Sequence, residues 1–277
     1  MTSNPSPIVA ITGAGGGIGS ALARRFASEG YRLALADIDA ARLAEMAAAF
    51  EAAGSACMTS TVDVRQPAAF DAWAAEIEAR FGGVDVVINN AGVTTWAPFA
   101  QQSQDDIDWV LDVNVRGVVN GCRAFLPLLR RSARPHIVNI ASMIGLFAMP
   151  MQTTYTASKW AVRGFTRALR MELRSEGIGV TAVLPGVIDT AFLGAARSDD
   201  RANVARFESL MNRWGTSPDL VAKRVARAVR RNRGEIRVGW DSHLVAFAQR
   251  FLPGLLPLVL RLAYPRLRAA PNAKDDP

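Results

Sequence analysis

The 277-residue chain is short of the side chains that most often carry hydrolytic and metal chemistry. It has two histidines, His136 and His243, and two cysteines, Cys57 and Cys122. A zinc site needs three or four Cys, His or carboxylate ligands at short spacings, and the sequence offers no such cluster, so no metal is expected. A Ser-His-Asp relay would have to draw on one of two isolated histidines. Two cysteines 65 positions apart do not make a disulfide framework in a chain of this size. Acid–base work is therefore left to Tyr, Lys, Asp or Glu. Lysine and tyrosine are scarce too: of 32 basic residues only Lys159, Lys223 and Lys274 are lysines, and there are three tyrosines. The longest uncharged apolar run near the C-terminus, 251–260, contains Pro253, Gly254 and Pro257, and is too short to cross a bilayer as a helix. Met1–Pro7 has no basic-then-apolar leader pattern, and the expected location is cytoplasmic.

What is present fits a soluble globular protein: half the residues are apolar and 21% are charged. The formal net charge of +7 is unevenly placed. Residues 1–196 carry 16 basic and 17 acidic groups, whereas residues 197–268 carry 15 basic and 6 acidic. That pattern fits a local basic surface rather than a long nucleic-acid groove, and no nucleic-acid-binding motif accompanies it.

Short apolar runs alternate with helical stretches. Strands are expected at 8–12, 31–37, 56–63, 84–89, 136–141, 178–184 and 235–240. Helices follow the first glycine turn and are expected over 40–53, 67–81, 104–131, 153–176 and 218–233. Each strand is a continuous apolar run with little alternation, as expected where helices cover both faces of a sheet. Repeated β-α units give an α/β fold with a doubly wound, mostly parallel seven-stranded sheet of Rossmann type. One domain is expected: residues 1–241 as a dinucleotide-binding catalytic unit, with 242–277 as its C-terminal extension.

The first strand runs into Thr12-Gly-Ala-Gly-Gly-Gly-Ile-Gly19. Glycines let backbone amides approach a pyrophosphate, and the following helix points its N-terminal dipole at that charge. The spacing T-G-x-x-x-G-x-G selects Thr12, Gly13, Gly17 and Gly19, with Ile18 between the last two. Asp37 closes the second strand, 18 residues after Gly19, where a carboxylate can accept both adenosine ribose hydroxyls and repel a 2′-phosphate. Neither Gly16 nor Ile38 is basic, so NAD is favoured over NADP. The alternative for Asp37 is a helix N-cap. Asp63, with Val64 beside it, either reaches the adenine or caps a turn.

Tyr155-Thr-Ala-Ser-Lys159 places a phenol and an ammonium at i and i+4, on one helix face. A nearby ammonium favours phenolate. A shift of about two to three pKa units, worth roughly 3–4 kcal/mol, would bring the tyrosine towards physiological pH.

With these motifs in order, residues 7–240 resemble the short-chain dehydrogenases/reductases. Asn89-Asn90-Ala91-Gly92 is similar to the family segment that shapes the adenine side of the cofactor pocket, assigning Asn90, Ala91 and Gly92 there. Asn114 matches the asparagine that supports a water relay towards the lysine, and Ser142 stands at the family's usual distance before Tyr155. Pro185, Gly186, Ile188 and Thr190 resemble the segment that holds the nicotinamide carboxamide. The resemblance implies Tyr155 as general acid/base, Ser142 hydrogen-bonded to the reacting oxygen, Lys159 on the nicotinamide ribose and Asn114 in the proton path. It also implies a homo-oligomer, dimer or tetramer.

Met143, Ile144, Leu146, Phe147, Met149 and Met151 follow the fifth strand. Trp96, Phe192, Leu193, Phe207, Leu210, Met211 and Trp214 lie in segments bordering the substrate cleft of similar proteins. They point to a bulky apolar alcohol or ketone, of sterol, retinoid or long-chain type, unless they pack a lid or subunit contact. A 3-oxoacyl-thioester reductase using the basic last quarter to dock an acidic carrier is the alternative enzyme. A dinucleotide-binding sensor or scaffold without turnover is the alternative of another class. The extension after residue 241 reads as a dimer contact or cleft flap in preference to a peripheral element for anionic lipid, because two prolines break any long amphipathic helix.

Overall fold

Every residue of β1 (Ile8–Thr12) is buried, as a strand covered on both faces requires. The computed structural model describes residues 6–268. Lys274 and the end of the extension, 269–277, lie outside the described residues. After β1 come β2 (Arg32–Asp37), β3 (Cys57–Thr61), β4 (Val86–Asn89), β5 (His136–Ile140), β6 (Gly179–Pro185) and β7 (Glu235–Val238). All neighbouring pairs are parallel, and the strand order is β3-β2-β1-β4-β5-β6-β7. The doubly wound seven-stranded sheet read from the sequence is thus the observed one.

The helices are α1 (Gly17–Ser28), α2 (Ala40–Ala52), α3 (Pro67–Phe81), α4 (Gln104–Leu111), α5 (Gly117–Leu129), α6 (Thr153–Glu172), α7 (Arg201–Asn212), α8 (Pro218–Arg230), α9 (Trp240–Phe251) and α10 (Leu255–Arg268). Alternate side chains of β1 feed two cores. Val9 and Ile11 pack with Leu22, Phe26 and Val225 on one face. Ile8 and Ala10 pack with Phe70, Trp73 and Phe125 on the other. Burying each large side chain contributes about 1.5–3 kcal/mol.

The order of strands reverses between β1 and β4. In such sheets a crevice forms at that point, beyond the carboxyl ends of the strands. Thr12, Asp37, Asn90 and Gly186 end or immediately follow a strand there, and Ser142 lies two residues beyond β5.

Two expectations need correction. The third strand stops at Thr61, short of Asp63. The helix expected over 104–131 is divided by a π-helical turn, Asp112–Arg116, that carries Asn114. As expected, no long helix runs through the prolines after α9; two helices meet there at 118°. Pro253 lies in the break, while Pro257 sits in the first turn of α10, where a backbone N–H has no helical acceptor to lose.

Candidate active site

The glycine turn is braced by residues from the far side of the sheet reversal. Asn90 Nδ2 donates to the carbonyls of Thr12 (3.0 Å) and Gly13 (2.9 Å). Thr12 Oγ1 accepts the N–H groups of Asn90 (3.0 Å) and Ala91 (3.2 Å). Gly13 has φ +62°, and a Cβ there would lie 2.8 Å from Ala91 Cα, so only glycine fits. Gly19 is buried and packed on the carbonyl of Gly13, while Ile18 is half-buried against the α1-side core. The N-cap of α1, Gly16, supplies no side-chain acceptor. The first-turn amides are therefore free to meet an anion, which fits a coenzyme pyrophosphate.

Asp37 accepts the N–H of Gly15 (2.8 Å) and of Asp39 (3.1 Å). Asp39, not Asp37, caps α2, taking the amides of Ala41 and Arg42. One charge went unseen in the sequence: the Arg42 stem and the Asp37 carboxylate both flank Gly15, each 3.1 Å from where a Cβ would lie. Asp63 is paired with a neighbouring arginine. Its carboxylate is gripped by Arg65 Nη2 (2.6 Å), whose hydrogen bond holds it below the usual carboxylate range. Val64 packs on Gly117, and its carbonyl accepts Asn120 Nδ2 (3.0 Å).

On the other wall, Pro185 is buried at the end of β6. The amide of Gly186 donates to the Val238 carbonyl (2.7 Å), and Ile188 bridges to Thr216. A Cβ on Gly17 would meet Thr190 Cγ2 at 2.5 Å, so Thr190 stands over the start of α1. The Val187 amide donates to Asp241 Oδ2 (2.6 Å). Asp241 is a supporting residue that the sequence reading missed, since no local pattern marks a contact between β6 and α9.

Tyr155 and Lys159 are both buried on α6. The Ser142 hydroxyl stands beside the Tyr155 side chain and accepts the Ile144 amide (3.2 Å). Lys159 Nζ donates to the Ile140 carbonyl (3.1 Å) and lies 5.5 Å from the Tyr155 ring centroid. Asn114 is wholly buried. Its Oδ1 accepts the Val93 amide (2.8 Å), and its Nδ2 donates to the Val93 carbonyl (2.9 Å) and to Ser158 Oγ (3.0 Å). Ser158 Oγ in turn donates to the Tyr155 carbonyl (2.7 Å). Asn114 thus joins the strand-end segment 90–93 to the helix bearing Tyr155, and a Cβ on Gly92 would sit 3.3 Å from Asn114 Oδ1 and 3.4 Å from Lys159 Nζ.

The expected lowering of the Tyr155 pKa by the ammonium is not what dominates. Burial pushes the phenol up, and the neighbouring Ser142 hydroxyl offsets only part of that. Burial also brings Lys159 down to about 8, which weakens the positive charge on which the expected lowering depends.

Beside these groups lies an apolar cluster. Trp96, Met151 and Val204 are buried together with Met149, Leu193 and Phe207 packed on them, and the Trp96 and Phe207 rings lie 4.4 Å apart. The Phe192 and Tyr155 rings lie 5.9 Å apart, tilted at 50° to each other. Leu146 points away, into a small core with Ala182 and Leu184. Leu210 and Trp214 are exposed. A cleft of about 490 Å³ separates α10 from the segment that links Ser142 to Tyr155, with Phe147, Met151 and Thr153 on one side and Leu256, Leu260 and Tyr264 on the other. Among the described residues no group of three or more His, Cys, Asp or Glu could hold a metal ion.

A glycine turn at the reversal of a parallel sheet defines a nucleotide-binding α/β protein. Residues 7–201 match the short chain dehydrogenase family, and the chain belongs to that family of oxidoreductases. It is 37% identical over 281 residues to SadH of Mycobacterium tuberculosis, designated an oxidoreductase, covering 100% of this chain and 99% of that one. A short-chain dehydrogenase/reductase from Burkholderia phymatum, solved in complex with NAD, superposes with TM-score 0.80 at 30% identity, covering 98% and 99% of the two chains. An alcohol dehydrogenase from the archaeon Thermococcus sibiricus, solved with 5-hydroxy-NADP, gives TM-score 0.73 at 26% identity, covering 84% of this chain and 96% of that one.

Proposed function

We propose that the protein is an NAD-dependent enzyme interconverting a bulky, apolar secondary alcohol and its ketone. The observation that carries this is the burial of Tyr155 and Lys159 one helical turn apart on the same face of α6, with Lys159 Nζ 5.5 Å from the Tyr155 ring centroid and Ser142 beside the phenol. When bound, the nicotinamide supplies or takes up the hydride. In reduction the Tyr155 hydroxyl gives its proton to the carbonyl oxygen. In oxidation it takes the proton from the alcohol. Ser142 holds the same oxygen by its hydroxyl. Lys159 binds the nicotinamide ribose and, by its residual charge, favours the deprotonated phenol. Asn114 acts as a positioning residue, keeping the segment 90–93 and α6 in register around the lysine.

Asp37 supports the choice of NAD, since its carboxylate stands at the end of β2 beside the glycine turn. The cluster around Trp96 and Phe207, with Phe192 on Tyr155, supports an apolar substrate. Screening alcohols and ketones with NAD and NADP, followed by nicotinamide absorbance, tests the reading. It predicts fastest turnover on hydrophobic secondary alcohols or their ketones with NAD(H). Faster turnover of short polyols, or a preference for NADP, would contradict it.

A further inference from the structure

The two C-terminal helices present an apolar face that nothing among the described residues covers. On α9, Trp240, Leu244, Phe247 and Phe251 recur at spacings that put them on one side. On α10, Leu255, Leu258 and Leu262 do the same. All seven are between 47% and 70% exposed. Together they expose on the order of several hundred Å², more than the scattered apolar surface of an ordinary monomer. The opposite sides of the helices account for their attachment. Val245 and Ala246 pack on Leu146 and Leu184, and Ser242 Oγ donates to the Leu184 carbonyl at 2.9 Å. Tyr264 and Leu267 pack into the cluster around Trp96, and Asn203 Nδ2 donates to the Leu267 carbonyl at 2.8 Å. The outward stripe is therefore not the residue of a badly docked helix.

Charge indicates what covers it. Residues 242–268 contain no Asp or Glu, and the ionised residues in that stretch are four arginines. Arg250 and Arg261 are exposed beside the stripe. A two-fold pairing of this face with a second copy would bring like charges together with no carboxylate in the segment to offset them. No single described helix is long and apolar enough to cross a bilayer, and the two meet at 118°. That shape suits helices lying in an interface rather than one helix passing through it. The 490 Å³ cleft, walled by α10, borders the same element and leads towards the segment between Ser142 and Tyr155.

We infer that α9 and α10 dock the protein peripherally on an anionic lipid surface, with the apolar stripe in the acyl boundary and Arg250 and Arg261 at the headgroups. The docking stands independently of which substrate is turned over.

Flotation of the full chain with vesicles of equal parts phosphatidylcholine and phosphatidylglycerol tests this. The wild type is expected to float with them, and more weakly with phosphatidylcholine alone. Phe247→Glu with Leu258→Glu abolishes flotation, and Arg250→Gln weakens binding about fivefold. Quenching of tryptophan emission by brominated lipid, diminished in Trp240→Phe, gives a readout that does not depend on the double variant folding. Absence of flotation with either vesicle, equal flotation with both, or quenching undiminished in Trp240→Phe would each overturn the proposal. So would light scattering that finds a dimer dissociated by Phe247→Glu without vesicle binding, which would make the face a subunit contact.

Discussion

Asp241 reaches back across 54 positions of sequence to accept the backbone N–H of Val187 at 2.6 Å. The same carboxylate closes against Gly186, where no Cβ could be accommodated. Its Oδ1 also accepts the Ser242 amide (2.9 Å), so the beginning of α9 is fastened to the end of β6. The turn 185–190, on which the nicotinamide end of the coenzyme is expected to rest, is thus shaped from the C-terminal part of the chain.

Asp241→Ala leaves the Val187 amide without its partner, at a cost of about 1–3 kcal/mol. Thermal melting should show a Tm lower by several degrees. Calorimetry should show NADH bound several-fold more weakly while AMP, which lacks the nicotinamide half, binds as before. Equal losses for both ligands would indicate a general collapse of the crevice instead.

The coenzyme preference rests on Asp37, but the structure adds Arg42. Its stem runs beside Asp37 along Gly15, and its guanidinium pairs with Asp39 at 3.2 Å. Asp37→Ala should therefore do more than remove repulsion: it leaves a cation at hand for a 2′-phosphate. The ratio of kcat/KM for NADP over NAD is expected to rise about tenfold or more. Adding Arg42→Ala to that variant should reverse most of the gain. A double variant that keeps NADP activity would show that Arg42 takes no part.

His136 gives the fold an acid limit. Its Nε2 lies 2.8 Å from Thr181 Oγ1. That hydroxyl already donates to the Arg233 carbonyl, so Nε2 of the imidazole is the donor. Burial, with a smaller contribution from Arg170, brings its pKa from 6.5 to about 4. Between those values the unfolded chain binds a proton that the native chain refuses. The stability associated with His136 is complete above about pH 6.5 and is lost as pH falls towards 4, by about 3 kcal/mol in all. Urea unfolding from about pH 7 to pH 4 should show this loss, and His136→Gln should flatten it while starting from a lower plateau.

Much of this architecture could be read from residues in order. Continuous apolar runs such as Ile8–Thr12 and Gly179–Pro185 mark strands covered on both faces, and the glycine turn marks where the first crossover begins. The π turn at Asp112–Arg116 could not be read. It changes the helical count over a few residues, which an apolar periodicity averaged over 104–131 does not register. Asp241 on Val187, Arg42 beside Asp37 and Ser158 under Asn114 were hidden for another reason. Each is a long-range or through-space contact that only the packed chain creates. The Tyr155–Lys159 spacing was legible, but its electrostatics were not, because burial at both residues outweighs the attraction that spacing alone implies.

The most direct test of the mechanism is turnover by Tyr155→Phe, measured on the best alcohol from the screen together with NADH affinity. Removing one hydroxyl from a buried ring should leave coenzyme binding within a few-fold, while kcat falls by about 10²–10⁴ or more, as expected for loss of a general acid/base. A variant that binds NADH normally and keeps wild-type kcat would contradict the role assigned to Tyr155, and with it the account of how this site works.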